Sequence, residues 1–491
     1  MFTILDYFAS IDCETIVISN SPIENEDAKK KILHRGEKWL ERENLGYDFG
    51  AWQYAIENRL IPQDTEYLFL SNDSVFGPLF DLDKVTHKML SDSSLDFWGL
   101  TDSPEMGWHL QTYFLCFKKN VFTSAAFKDF FKQDFPSFTK AQVIENGEIG
   151  LTTSLTTAGF KGRAFFPYDK ITSNKGFRFN NPTIEYADRL IKEFQFPFIK
   201  KEFILKNPKN IEIEGGVLAM IERETDYAIS NVLEVLIDKC SGRQIKKDGP
   251  AIDVICHVYY VSSAYNFIIE LSKLKTYNCR FLFNLSPQLY SAPYFVEILL
   301  QCFENSVIIK TSNIGKDIGG KLALIDLCMQ LKDKSDYTIL LHDKQSPHTS
   351  LGEKWRKKLF RIIEEDKIPM IIEMFEQDRQ TGIIATSEFI INEYNQQTRK
   401  FECTSDQKLQ ELIQQYKFEN INFDFVGGTM FWIRTVLLKD FFLQNDPLNI
   451  RSALEKGNVL DNEHGTNAHA WERMLSWIAT ARNYKIRGVH D

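Results

Sequence analysis

The sequence predicts an α/β fold laid down twice along the chain, and three observations carry that expectation. Short β-rich runs alternate with segments of helical periodicity, which implies mostly parallel sheets with crossover helices. The loop pattern N-x-G-x-D-x-G occurs in each half, at Asn44–Gly50 and Asn313–Gly319. A second polar motif follows each loop one strand later, 25 residues on from Asp48 to Asp73 and 26 from Asp317 to Asp343. Two motifs in one order at nearly one spacing point to an internal duplication.

The second half shows the plan in full. Val254–Tyr260 (VICHVYY), Cys279–Asn284 (CRFLFN), Val307–Lys310 (VIIK) and Tyr337–Leu341 (YTILL) read as strands. Ala264–Leu274 and Lys321–Leu331 have helical spacing. In the first half Glu14–Ser19 is the first strand, Ala51–Leu60 a helix, and EYLFLSNDS (Glu66–Ser74) matches YTILLHDKQ. The opening residues MFTILDYFASI match the helix that follows VICHVYY, so the expectation is that either the first copy lacks a leading strand or the true start lies upstream. Val217–Asp238 has helical periodicity, and Ser241–Pro250 (SGRQIKKDGP) is a polar connector bounded by Gly and Pro. The expected organisation is a first domain at 1–215, a helical linker at 216–250 and a second domain at 251–491.

Composition narrows the function classes. The chain has 491 residues, 43% hydrophobic and 25% charged, so disorder throughout is excluded. With 58 Lys+Arg against 67 Asp+Glu the net charge is −9, which disfavours nucleic acid as a partner. No apolar run reaches membrane-spanning length, and the N-terminal segment, interrupted by Asp6 and without a basic n-region, is not expected to be a signal peptide. The eight cysteines are scattered without a CxxC, which reads as buried reduced thiols in a cytoplasmic protein.

The paired motifs supply candidate site residues. Asn44 and Asp48, like Asn313 and Asp317, sit on a loop that follows a strand and opens a helix. A carboxylate there either hydrogen-bonds a ligand hydroxyl at the carboxyl end of the sheet or caps the helix. Asp73 in SNDS and Asp343 in HDK end the next strand. There they either hold a divalent ion, Mg²⁺ or Mn²⁺, bridging a diphosphate, or lie in a surface turn. Neither has an Asp-x-Asp partner. His342 and Lys344 flank Asp343, and Lys344 could meet phosphate charge directly.

Further on, DFWGLTDS (Asp96–Ser103) with HLQTYFLCFKK, and FDFVGGTMFWIR (Phe423–Arg434), are β-like with polar front edges. Trp98, Trp108 and Trp432 suit either stacking on a sugar ring or core packing, and Thr429 joins Trp98 and Trp432 as an acceptor-side candidate. Glu148 and Glu472 fall in first helical turns, where a carboxylate can act as a base or merely complement the macrodipole. His464, His469 and Arg473 surround Glu472. The basic helix Glu353–Ile363 reads as a solvated face or as a contact with an anionic membrane surface.

On these residues the sequence resembles the rhamnan synthesis protein F family, glycosyltransferase-like proteins of bacterial cell-surface polysaccharide assembly. The first half carries DFGAW, LSNDSVFGP, FWGLTDS, HLQTYFLCF and EIGLTTSLTTAGF; the second carries KDIGGK, LLHDKQSPH with Trp355, VGGTMFW and GTNAHAWER. The resemblance implies two tandem GT-A-like domains, each a mostly parallel sheet flanked by helices. It implies inverting transfer of a sugar, often rhamnose from dTDP-L-rhamnose, to a growing polysaccharide or lipid-linked glycan. The work would be done beside other assembly proteins at the inner face of the plasma membrane. Asp48 and Asp317 then look like donor-loop residues, Asp73 and Asp343 like the diphosphate or metal position, and Glu148 and Glu472 like the base. One half is expected to be inactive, the second being the more complete. The competing readings are a non-catalytic carbohydrate- or nucleotide-sugar-binding scaffold and a nucleotidyltransferase.

Overall fold

The computed structural model describes residues 2–22, 29–30, 32–33, 38–172, 181–206, 217–241, 249–304, 306–331, 334–343, 357–419, 421–461 and 465–490. The chain forms two compact units that divide between Asn231 and Val232. The long helix expected from Val217 breaks into Ala219–Glu224 and Ser230–Ser241. The Thr225 hydroxyl causes the break: it donates to the Ile221 carbonyl at 2.7 Å and accepts the Tyr227 amide, competing with the helix ladder. Residues 217–231 therefore group with the first unit and the remainder with the second, which divides the expected linker.

The second unit is built on a seven-stranded sheet. From edge to edge its strands are Val307–Lys310, Cys279–Leu285, Ile252–Val258, Tyr337–His342, Phe431–Arg434, Thr381–Thr386 and Lys485–Val489. The first four are parallel. Phe431–Arg434 runs antiparallel to both neighbours, and Lys485–Val489 is parallel to Thr381–Thr386. Ile252–Val258 and Tyr337–His342 are buried along their whole lengths, as their near-continuous apolar runs require of strands covered on both faces. Polar side chains appear only near their ends, at Asp253, His257, Thr338 and His342.

Helix Lys316–Gln330 starts five residues before the expected Lys321, so Asp317 belongs to its first turn. Its entry is fixed by Gly315 at φ +71°. A Cβ on Gly315 would also fall 2.2 Å from Leu454, so the loop needs glycine for both reasons. Gly320, one turn on, brings the helix against the sheet: a Cβ there would lie 2.2 Å from His257 Nδ1. Helix Asn467–Thr480 is buried for most of its length, with Thr466 as its cap.

In the first unit the strands Tyr67–Ser71, Phe114–Lys118, Phe97–Ser103 and Gly162–Phe166 adjoin in that order, with the last two parallel and the others antiparallel. This repeats the order and directions of Tyr337–His342, Phe431–Arg434, Thr381–Thr386 and Lys485–Val489. Ile16–Ser19 and Lys38–Glu41 form a separate parallel pair. Among the described residues no strand joins that pair to Tyr67–Ser71, where Ile252–Val258 does so in the second unit. Successive side chains alternate between two apolar clusters: Phe97, Leu115 and Phe117 enter one, and Trp98, Phe114 and Cys116 the other.

Two expectations fail on burial. Trp98 is 2% exposed within its cluster, and Trp432 is fully buried with its indole N–H given to the Ile362 carbonyl at 2.9 Å. Both are core residues and offer no face to a sugar. Of the basic helix Glu353–Ile363, residues 357–363 are described, and Leu359, Phe360, Ile362 and Ile363 pack into the core. No described helix is long and apolar enough to cross a membrane.

Candidate functional site

The carboxyl ends of the parallel strands in the second unit border a cavity of about 320 Å³. His257, Tyr259, Asn313, His342 and Asp343 reach it from strand ends and the loops that follow. Lys316 and Asp317 come from the first turn of their helix, and Gly428, Thr429, Asn458, His469 and Glu472 from the other side. The sheet edge on which a ligand is expected in open α/β folds thus carries the polar residues.

Beneath the cavity lies a charged network centred on Lys321, which is 0% exposed. Its ammonium donates to Asp317 Oδ2 at 3.2 Å, His342 Nδ1 at 2.9 Å, and the carbonyl and hydroxyl of Thr429 at 2.9 and 2.5 Å. The Thr429 hydroxyl donates in turn to Asp317 Oδ2 at 2.8 Å. Burial alone would raise the Asp317 carboxyl. The Lys321 ammonium and the Thr429 hydroxyl outweigh it and hold the group well below the usual carboxylate range. Thr429 keeps φ at +50°, a conformation a β-branched residue adopts only when its surroundings enforce it.

Asp343 has a different task. Its Oδ1 accepts the Tyr259 amide at 2.8 Å; Oδ2 accepts the Tyr260 amide at 2.6 Å and the Ser263 hydroxyl at 3.3 Å. It pins the turn that starts helix Val261–Leu271. Burial pushes its carboxyl up to about 7 against the pull of those donors. The expected metal role fits poorly, because both oxygens already accept protein hydrogen bonds. Asp73, the other metal candidate, has a side chain 77% exposed and paired with Lys201 at 3.1 Å. Among the described residues no group of three or more His, Cys, Asp and Glu side chains gathers as a metal site.

Glu472 stands on the second turn of its helix. It accepts the Gly428 amide at 2.6 Å and meets Arg473 at 2.8 Å. Arg473 also grips Glu393, with Nη2 at 2.9 Å from Oε2. His469 lies 3.2 Å from Asp461 and is tied to Thr466. Asn313 donates to the Tyr259 hydroxyl and to Asn458, and the Gly315 amide donates to the Glu455 carbonyl. Lys344, His348, Trp355 and His464 lie outside the described residues.

His257 was not foreseen. The Asn284 carbonyl oxygen accepts from Thr311 at 3.0 Å, which turns the Asn284 N–H₂ group toward His257 Nδ1, 3.1 Å away. Nδ1 is therefore an acceptor, and the neutral ring carries its proton on Nε2. Burial pushes this imidazole down to about 4. The unfolded chain takes up that proton near pH 6.5, so the stabilisation is full above 6.5 and is lost as pH falls through 4. Asp343 works with opposite sign: its contribution is full below the unfolded value near 3.9 and fades as pH rises through 7. Comparison with His257→Gln isolates the histidine. Between pH 7 and 4 the second unit of the wild type should lose about 3 kcal/mol more stability than that of the variant, read from hydrogen exchange of the Ile252–Val258 and Tyr337–His342 strands. A difference that stays constant with pH would refute this account.

The first unit gathers a comparable set with different chemistry. Asn72, at the position of His342, donates to Asp48 Oδ2 at 2.7 Å. Burial raises the Asp48 carboxyl, and Asn72 partly offsets this. Glu148, inside a π-helical stretch at Val143–Ile149, accepts the Thr112 amide at 3.1 Å, much as Glu472 accepts that of Gly428. Trp52 occupies the loop position of Lys321, and a distant residue brings the cation. Lys200 donates to Ser74 at 3.1 Å and lies 4.6 Å over the Tyr113 ring; burial depresses it while Glu148 and Asp48 pull it up. Trp108 is 41% exposed and bonds Asp102. Asn44 is exposed.

Residues 15–484 match the family described as rhamnan synthesis protein F. A virulence protein of Vibrio anguillarum, VirA, is 30% identical over 198 residues, covering 35% of this chain and 63% of its own length. The uncharacterised protein y4gN of Sinorhizobium fredii is 28% identical over 196 residues, covering 38% of this chain and 50% of its own. The chain thus spans less than two thirds of the length of these curated relatives. Among solved structures, the glycosyltransferase GlyE of Streptococcus pneumoniae is similar over 72% of this chain and 82% of its own, at 12% identity and a TM-score of 0.25.

Proposed function

The chain belongs to the rhamnan synthesis protein F family, and from that premise we propose that it is a glycosyltransferase of cell-surface polysaccharide assembly. In this reading each unit is a GT-A-like domain descended from one duplicated ancestor. The second unit takes a sugar, rhamnose in the first instance, from a nucleotide-sugar donor and passes it to a growing polysaccharide or lipid-linked glycan. The observation that carries the proposal is the cavity at the carboxyl edge of the second sheet, where Asp317, Thr429 and Glu472 converge. An inverting displacement needs one base and a stabilised leaving group. Glu472 is the base in this proposal, and Asp317, held ionised by Lys321, orients a hydroxyl of the donor. The virulence designation of the Vibrio anguillarum relative is compatible with a product at the cell surface.

A non-catalytic reading suits the first unit better. Trp52 replaces the buried lysine of the network, and no described strand joins Ile16–Ser19 to Tyr67–Ser71. That half is proposed to bind glycan or nucleotide without turnover.

The test is turnover by the full chain of a donor panel comprising dTDP-rhamnose and UDP-sugars. Release of the nucleoside diphosphate, by transfer or slow hydrolysis, is the expected result. Saturable binding without any turnover would leave only the scaffold reading. Pyrophosphate release from a nucleoside triphosphate would point to nucleotidyl transfer instead.

A further inference from the structure

A diphosphate brings concentrated negative charge, and the cavity of the second unit has few groups free to meet it. Asp317 is matched by Lys321 at 3.2 Å, Glu472 by Arg473 at 2.8 Å, and His469 by Asp461 at 3.2 Å. Among the described residues, the remaining cation on the lining is Lys316. Among the described residues, no hydrogen bond or ion pair engages its ammonium.

The backbone sets Lys316 apart as well. It holds φ at +53°, directly after Gly315 at +71°. A side chain in the left-handed region is strained, and such strain collects at ligand sites. Tyr47 repeats the angle at the same loop position in the first unit, also at +53°. The loop imposes the conformation in both units, and only the second unit uses it to carry a cation.

A bridging divalent ion is the alternative means of holding a diphosphate, and it needs carboxylate oxygens open to it. Asp343 has both oxygens on Tyr259, Tyr260 and Ser263. Asp317 has Oδ2 engaged by Lys321 and Thr429. A lysine ammonium, in contrast, meets phosphate as a point charge and needs no prior ligand set.

From this geometry we infer that the cavity of the second unit holds the diphosphate of its nucleotide ligand through Lys316 and without a divalent ion. The inference rests on the donor-site reading above. His257 supports it: the ring lines the cavity, and its tautomer makes Nε2 a donor.

The test is calorimetric titration of the full chain with UDP and with dTDP, in EDTA and again in Mn²⁺. The dissociation constant of the preferred nucleotide should agree within about twofold in the two buffers. Lys316→Asn, which tolerates the left-handed backbone, should weaken it by about tenfold or more, the loss of one charge-assisted contact. Lys316→Arg should bind nearly as the wild type does. Binding that EDTA abolishes, or that Lys316→Asn leaves unchanged, overturns the inference and spares the donor-site reading. Failure of both nucleotides to bind the wild type, with or without Mn²⁺, overturns both. The two-buffer comparison uses wild-type protein, so it decides the metal question even if a variant fails to fold.

Discussion

Lys321→Met should destabilise the second unit by about 3–5 kcal/mol, the usual effect of removing one partner from a buried charge pair. The side chain is fully buried and serves four acceptors on three residues. Methionine fills a similar volume, so little of the effect comes from a cavity. What remains is a largely buried Asp317 carboxylate without its ammonium, and a Thr429 carbonyl without its donor. Two units make a single unfolding midpoint ambiguous. Hydrogen exchange of the Ile252–Val258 and Tyr337–His342 strands is the better measurement, because both flank the network. Adding Asp317→Asn removes the orphaned charge and should recover a substantial part of the loss, a coupling readable from a double-mutant cycle. A single-variant effect below about 1 kcal/mol, or no recovery in the double variant, would mean that the network does not hold the site together.

That network shows what the sequence discloses and what it hides. The loop Asn313–Gly319 and the strand end at His342–Asp343 announce themselves, because glycines and polar residues break long apolar runs. Lys321 sits one helical turn past Asp317, at ion-pair spacing, yet a lysine in a helix ordinarily faces water, and only burial reveals its part. Lys200 gives still less warning, since it reaches Asp48 from far along the chain and has no motif around it. Strands at the margins were missed for a related reason. Lys485–Val489 and Lys38–Glu41 are short and half-exposed, and each contains only two large apolar residues, too few to stand out as a strand. Aromatic residues mislead in the opposite direction. Trp98 and Trp432 lie in motifs that lead toward the candidate sites, but strand alternation and the Ile362 carbonyl turn them into the core. Residue type suggests stacking; only the side of the sheet decides whether a ligand can reach the ring.

Glu472→Gln should lower kcat for sugar transfer by about 10²–10⁴-fold, the range expected when a positioned general base is lost. Binding of the nucleoside diphosphate should stay within about twofold, because the proposed base faces the acceptor and makes no contact with the phosphates. The fold should tolerate the change. Glutamine still has an oxygen to accept the Gly428 amide, 2.6 Å away in the wild type. Arg473, which loses a carboxylate at 2.8 Å, keeps its paired contacts to Glu393, so no buried cation is stranded. A structural role would show differently, as weaker nucleotide binding and faster exchange in helix Asn467–Thr480 together with the fall in rate. Glu148→Gln makes the complementary comparison, because Glu148 holds the Thr112 amide in the first unit much as Glu472 holds that of Gly428. Loss of turnover in Glu148→Gln with full activity in Glu472→Gln would assign the chemistry to the first unit. The half-buried Lys200, beside Asp48 and Glu148, would then become the cation that a leaving group meets.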